Sequence, residues 1–387
     1  AHPNRWFRQT ALRLLGDRKD RSVLPLLNKI LKQESGQLAL ESLWAIYQVG
    51  GLESLLQADP LSHRNPHVRR WFIRLVCDEK KLPRSLRDSV AAWAAREPDI
   101  ETRTQIASSA KRLANDDCLA LVQALLAHPS DTSDPYQPLL IWWALESKCG
   151  QPAEILRWIE GCPDFWQNRL VVDHLATRLV KRFTLPGTRK EFLALAQLLT
   201  AARKANQPLS AKMLSELEST TRNLANLRFP AELLTVISKL GGASLEMQVR
   251  QNDMKSIKQA ISRVGDPKTP VLEKEKLVRA LGDIRSGEAL PTLLDQLKKS
   301  GEPRLTVACL ESLQKFDAAT VGQSIVDLLP RLQGDSLAVA QSVLVSRVSW
   351  CRQLLASLKA GQLDPEKLSA STPRRMLFHA DPTLQQE

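Results

Sequence analysis

The sequence is poor in the residues that usually build chemistry. Its six cysteines (Cys77, Cys118, Cys149, Cys162, Cys309 and Cys351) lie far apart, and no two form a Cys-x-x-Cys pair. Metal-site and redox-motif spacing is therefore absent. A disulfide framework does not suit so large a helical chain, so buried free thiols acting as small apolar residues are the expectation. Cys149 and Cys162 could bridge, but nothing in the sequence requires it. Among the six histidines only His63 and His67 stand close together, flanking Pro66 in an expected inter-helix loop, which is too little for a metal centre. Glycines number 16 and aromatics make up 5%. There is no Gly-rich phosphate loop, nucleophile elbow or His-Glu-x-x-His, so no catalytic, cofactor-binding or metal residues are assigned to this chain. Long apolar runs are missing too: the densest, Leu139 to Leu145, falls far short of the ~18 residues a membrane span needs. The chain opens at Ala1 with no initiator Met and no signal peptide, so we expect it to be processed or cut from something longer.

What is present is helical pattern. Arg8 to Leu43 reads as three short helices with two polar breaks. The first carries Ala11, Leu14 and Leu15; the second Val23, Leu24, Leu27, Ile30 and Leu31; the third Leu38, Leu40 and Leu43. Apolar residues recur at three- and four-residue spacing, giving each helix one narrow stripe. The stretch returns near the other end. Leu15-Gly16-Asp17 recurs as Leu281-Gly282-Asp283, Leu24-Pro25 with Leu27 as Leu290-Pro291 with Leu293, and Leu40-Glu41-Ser42-Leu43 as Leu310-Glu311-Ser312-Leu313. A helical unit recurring at such a distance indicates stacked helix pairs, and a single core rarely exceeds about 250–300 residues.

Taken in order, residues 1–205 read as an N-terminal sub-array. Helices are expected over Arg70 to Cys77, Pro83 to Arg96, Ile100 to Leu113 and Asp117 to Ala127. Val68 should fill an inter-helix seam while Arg69 ties neighbouring repeats through acidic side chains or carbonyls. Leu139 to Glu146, apolar nearly all round, is expected as a central helix covered on both sides, with Glu146 able to pair with an arginine of an adjacent repeat. Its paired Trp142 and Trp143 suggest an aromatic site, a ligand cage or base-stacking platform, against the plainer expectation of core packing. Further helices are expected around Ile155, over Leu170 to Val180 and over Phe192 to Leu199. Between 206 and 230 the pattern weakens, and an irregular seam is expected. Residues 231–360 read as a C-terminal sub-array, with helical pattern over Phe229 to Leu240, Ser244 to Val264, Val271 to Leu297 and Leu337 to Leu358. There Leu281, Ile284, Leu293 and Leu297 match Leu313, Phe316, Ile325 and Leu329 at a step of roughly 32 residues. Residues 361–387 read as a loop and a short basic helix around Arg374 to Leu377, leading to a missing downstream domain.

These strings are similar to a HEAT-type repeat, and the fold class expected is all-α, a HEAT/armadillo-like α-solenoid of stacked antiparallel helix pairs. Several strings resemble one setting for it: His2 to Trp6, Arg8 to Ala11, Arg13 to Arg18, Leu43-Trp44-Ala45, Val68 to Trp71, Leu140 to Glu146, Leu355 to Gly361 and Arg374 to Pro382. They resemble the middle region of large bacterial exported multidomain proteins described as membrane-bound dehydrogenase or haem-binding proteins. There a β-propeller precedes the HEAT region and a c-type cytochrome domain follows it. The resemblance implies an exported, periplasmic setting and haem c in a downstream domain. Haem attachment needs Cys-x-x-Cys-His, which this chain lacks, so the redox chemistry would lie outside it.

Two functional readings compete. The first is a non-catalytic scaffold whose partner is a flanking propeller or cytochrome domain, or a redox partner. Its contact surface would be a basic concave face made by the second helices of each pair, including Arg69, Arg70, Arg103 and Arg178. The second starts from net charge: 54 Lys and Arg against 42 Asp and Glu give +12, as a nucleic-acid binder would show. HEAT-like alkylpurine DNA glycosylases are an architectural precedent. The basic residues are spread along the whole chain rather than clustered, which favours the scaffold.

Overall fold

A computed structural model describes residues 2–386 other than 83, 223, 225 and 226, and the side chains of all of these but 84, 85, 385 and 386. Among the described residues the chain is 75% helix with no strand, and its 24 α-helices pack in neighbouring pairs, as in an α-solenoid. Two compact units divide it, Ala1–Glu216 and Leu217–Glu387.

The first unit contains α1 (Arg5–Arg18), α2 (Leu24–Gln33), α3 (Gln37–Gln48), α4 (Leu52–Gln57), α5 (Pro66–Val76), α6 (Arg84–Ala94), α7 (Ile100–Ala110) and α8 (Asn115–Leu125). It continues with α9 (Gln137–Glu146), α10 (Pro152–Gly161), α11 (Ala176–Thr184), α12 (Arg189–Ala205) and most of α13 (Gln207–Thr221). Helices pack on their next-but-one neighbour: α1 on α3, α3 on α5, α5 on α7, α7 on α9, and in the other series α2 on α4, α6 on α8 and α10 on α12. Consecutive helices close the pairs, as in α2 with α3 and α7 with α8.

The local sequence explains each start. Pro25, Pro66, Pro138 and Pro152 sit in first helical turns, where the missing N–H would have had no partner. Asn65 accepts the His67 amide at 2.9 Å and Asp99 the Thr102 amide at 2.8 Å, capping α5 and α7. Below the α5 cap, Val68, Phe72, Ile73, Leu75 and Val76 form the buried stripe, as the three- and four-residue spacing predicts.

The second unit holds α14 (Ala231–Lys239), α15 (Leu245–Arg250), α16 (Met254–Gly265), α17 (Val271–Asp283), α18 (Leu290–Lys299), α19 (Pro303–Leu313) and α20 (Ala319–Leu328). It ends with α21 (Gly334–Leu344), α22 (Val348–Lys359), α23 (Ser371–Leu377) and α24 (Pro382–Gln386). Here α15, α17, α19 and α21 form one series and α16, α18, α20 and α22 the other. The matched positions Leu281, Leu293, Leu297, Leu313, Phe316, Ile325 and Leu329 all lie in one continuous core, with Ile284 packed against it.

Several segments differ from the sequence reading. Ser244 to Val264 is two helices, because Asn252 turns the backbone to φ +64° and Asp253 caps α16 by accepting the Ser256 amide at 2.9 Å. Leu337 to Leu358 is likewise two, broken at Val345 to Arg347. A π-helical turn, Val171–Leu175, leads into α11. Within 206–230, Leu209, Met213 and Leu217 are buried at four-residue spacing and hold α13 together; residues 223, 225 and 226 of that stretch, like Pro83, lie outside the described residues. The C-terminal segment adds α24 to the expected basic helix, α23.

Polar side chains stitch each repeat to the one before. His63 Nε2 lies 3.0 Å from the Glu34 carbonyl, His128 Nε2 2.8 Å from Ala94 and His174 Nε2 2.9 Å from Thr132; in the second unit His379 Nε2 lies 2.7 Å from Val345. Asn168 and Asn206 donate in the same way to Leu126 at 2.7 Å and Trp166 at 2.9 Å. Helix ends leave carbonyls without intrahelical partners, and these side chains supply donors from the next repeat.

Candidate interaction surface

The four arginines singled out in the sequence fall on one helix series, but they do different work. Arg69 makes a two-pronged pair with Glu97, at 2.6 and 2.8 Å, and donates to the His63 carbonyl at 2.8 Å. Arg103 does the same with Asp131, at 2.6 and 2.7 Å, and donates to the Glu97 carbonyl at 2.7 Å. Both acidic side chains are almost fully buried, at 0% and 3% exposure. Each guanidinium has at least three of its five donors engaged and its side chain is only 11% (Arg69) or 8% (Arg103) exposed, so it is committed inside the stack. Arg69 and Arg103 therefore tie the stack, and the expectation of a docking role for them is corrected. Removing Arg103 would strand Asp131 in the interior, a loss of about 3–5 kcal/mol. Arg178 is half-buried on α11, and its Nη1 has no hydrogen-bond partner among the described residues.

Arg70 borders an open groove. It pairs with Glu101, and its Nη2 lies 2.8 Å from His67 Nδ1. With Trp71, Arg74, Thr104, Gln105 and Ser108 it lines a groove of about 330 Å³ between α5 and α7. A second groove of about 450 Å³ lies between α1 and α3, against Gln9, Arg13, Asp17, Trp44 and Gln48. The two are joined by Trp44 and Trp71, whose rings meet edge to face at 5.0 Å. Arg74 stacks over Trp71 at 5.0 Å. One helix further, Lys111 stands over Trp143 at 5.7 Å. Indoles and cations thus recur in a strip along α1, α3, α5, the C-terminal end of α7 and α9.

The tryptophan pair divides. Trp142 is buried, as core packing predicts, whereas Trp143 is 42% exposed and belongs to the strip. The helix they share packs on α7 and α8 and, on the other side, on the 171–175 turn and α11, as expected of a central helix; Trp143 is its one exposed residue, and Tyr136 is open at its N-cap. Among the described residues Glu146 has no ion pair. The sequence reading missed Trp44, Trp71, Arg74 and Lys111. Register gave no signal for Trp71, which lies three residues after Val68 and four before Leu75 and so reads as part of the core stripe; the structure leaves it half-buried at the stripe's edge.

Chemistry elsewhere is quiet. All six cysteines are free and buried, Cys149 and Cys162 included. Burial pushes the Cys77, Cys118, Cys149 and Cys309 thiols up to about 12, and Cys162 and Cys351 to about 11, which keeps them unreactive. His63 is held by its ring nitrogens to Glu34 and to the Asn65 amide, and His67 lies against Arg70. No group of three or more His, Cys, Asp or Glu suited to a metal occurs among the described residues. No helix among them is long and apolar enough to cross a membrane. No family model, curated protein or solved structure matches this chain.

Proposed function

We propose that this chain is a HEAT-like α-solenoid acting as a non-catalytic protein-interaction scaffold, a segment of a larger exported electron-transfer protein of the dehydrogenase and cytochrome c type. In that setting the haem would be held by a downstream domain. The observation that carries the scaffold reading is the division of labour among charged groups. Buried arginines and acids join repeat to repeat, while the surface left over on one helix series is a mixed strip of indoles, amides and cations. That mixture is what protein interfaces favour: tryptophan and arginine anchors amid polar contacts. Nucleic-acid binding is the competing reading, supported by the net charge of +12. The experiment that separates them is binding of the chain to single- and double-stranded DNA across a salt series. A scaffold gives at most weak binding that vanishes near physiological salt. Sub-micromolar binding with a steep salt slope, as phosphate contacts produce, would overturn the proposal.

A further inference from the structure

We infer that the strip on the first unit receives an extended acidic polypeptide segment, an inference that rests on the scaffold reading and names its partner. Three cations are available on it. Arg74 and Lys111 are each held over an indole face, at 5.0 and 5.7 Å, and are exposed, with no ion pair among the described residues. A cation stacked in this way is pinned in place while its N–H groups still point to solvent, so little side-chain freedom is lost when a carboxylate arrives. The third is Arg13. Its counterpart in the second unit, Arg279, pairs with Glu311, but the matching acid here, Glu41, is taken by Arg8 at 2.8 Å. Arg13 is left exposed at the mouth of the α1–α3 groove.

The groups between the cations suit a peptide rather than a polynucleotide. Gln9, Gln48 and Ser108 line the two grooves with amides and a hydroxyl that can exchange hydrogen bonds with a peptide backbone, while Thr104 and Gln105 beside them already donate to the Ile100 carbonyl and to Ser109 and keep acceptor capacity. Trp44 against Trp71 makes an apolar shelf between them. Asp17 and Glu101 lie on the same strip, and a strand charged at every nucleotide would meet both. Spacing agrees. Packed helices stand ~8–10 Å apart and an extended chain advances ~3.3 Å per residue, so acidic residues about three apart reach successive helices of the series.

The test uses the whole chain and a fluorescein-labelled soluble peptide with glutamate at every third position, read by anisotropy. A lysine-for-glutamate peptide and an oligo-dT of similar length serve as comparators. Selective micromolar binding of the glutamate peptide is expected. It should weaken about tenfold or more in the R74E/K111E double variant and several-fold in W143A, with helicity by circular dichroism unchanged. Reversal of a remote exposed charge, K298E, should leave it intact. No peptide binding, or binding that R74E/K111E does not weaken, overturns the peptide strip alone and leaves the scaffold standing. Oligo-dT bound more tightly than the peptide, near physiological salt and through the same residues, overturns both.

Discussion

The opening triplet α1–α3 and the later triplet α17–α19 are written in nearly the same letters and live in different surroundings. Both run from a Leu-Gly-Asp helix end through a short 3₁₀ turn, Arg21–Val23 or Gly287–Ala289, into a Leu-Pro helix and then a Leu-Glu-Ser-Leu helix. Yet α1 buries no residue completely and leaves Trp6, Phe7 and Leu14 exposed. By contrast α17, packed on α15, α16 and α19, buries Lys274, Leu277, Val278, Ala280, Leu281 and Gly282. The same letters specify the same helices and turns. What a leucine contributes to stability is decided by its neighbours in the stack.

The contrast can be broken most directly at the paired leucines. L281A should cost about 2–5 kcal/mol, because the methyl groups removed leave a cavity between packed helices. L15A, at a half-exposed site, should cost about 1 kcal/mol or less. Denaturant titration of each variant checks this, and equal losses would mean that α1 is as well packed as α17. The paired glycines sharpen it further, because they should differ in sign. A Cβ on Gly282 would meet Ser312 Cβ at 2.5 Å and its Cα at 2.9 Å, so G282A should destabilise by about 1–3 kcal/mol. A Cβ on Gly16 meets the Gln48 amide oxygen at 3.3 Å, a group free to swing away, and the Gln48 Cβ at an ordinary contact distance of 3.5 Å. G16A should then be neutral or stabilising by up to about 1 kcal/mol from helix propensity, seen as an unchanged or raised Tm.

Smaller effects are expected from the paired arginines. R279A loses a half-exposed pair with Glu311 and should cost about 1 kcal/mol at most, which a double-mutant cycle with E311Q would isolate; R13A should cost nothing. The smallest effect is a titration. Asp20 caps the first 3₁₀ turn, and hydrogen bonds from the Ser22 side chain and amide, aided by Arg18, hold its carboxyl below the usual 3.8. A depressed carboxyl contributes above its unfolded value and loses that contribution as pH falls through the folded one. NMR titration of Asp20 should report the depressed value, while the corresponding 3₁₀ turn of the second triplet, opened by Ser286 without a side-chain cap, has no matching group.

Much of the fold was legible in the sequence because it is local. Proline starts, three- and four-residue apolar spacing and the Leu-Gly-Asp echo mark the helices of both triplets. The missed breaks are local too, but rest on residues that do not advertise them: Asn252 at positive φ, and Val345 to Arg347 between two apolar runs. The candidate surface was harder to read. Arg69 carried two expectations, tying repeats and meeting a partner, and only the position of Glu97 across the stack decides between them. Trp71 and Arg74 became visible as a pair with Trp44 and the α7 groove only once α3, α5 and α7 lay side by side. Proximity across repeats, unlike helical phase, is not written in any one stretch.

The carbonyl latches have a consequence for how the array grows and fails. His63, His128, His174 and His379 each reach back between 29 and 42 residues to a carbonyl at a helix end or in a 3₁₀ turn. The spans differ from one latch to the next, so a latch tolerates repeats of unequal length as long as a carbonyl left open at a helix or turn end lies beside the ring. Length is therefore free to vary within a repeat as well as by whole repeats, provided each donor keeps an open carbonyl to meet. Pulled from one end, such an array would give way hairpin by hairpin, each step breaking one latch before the next bears load.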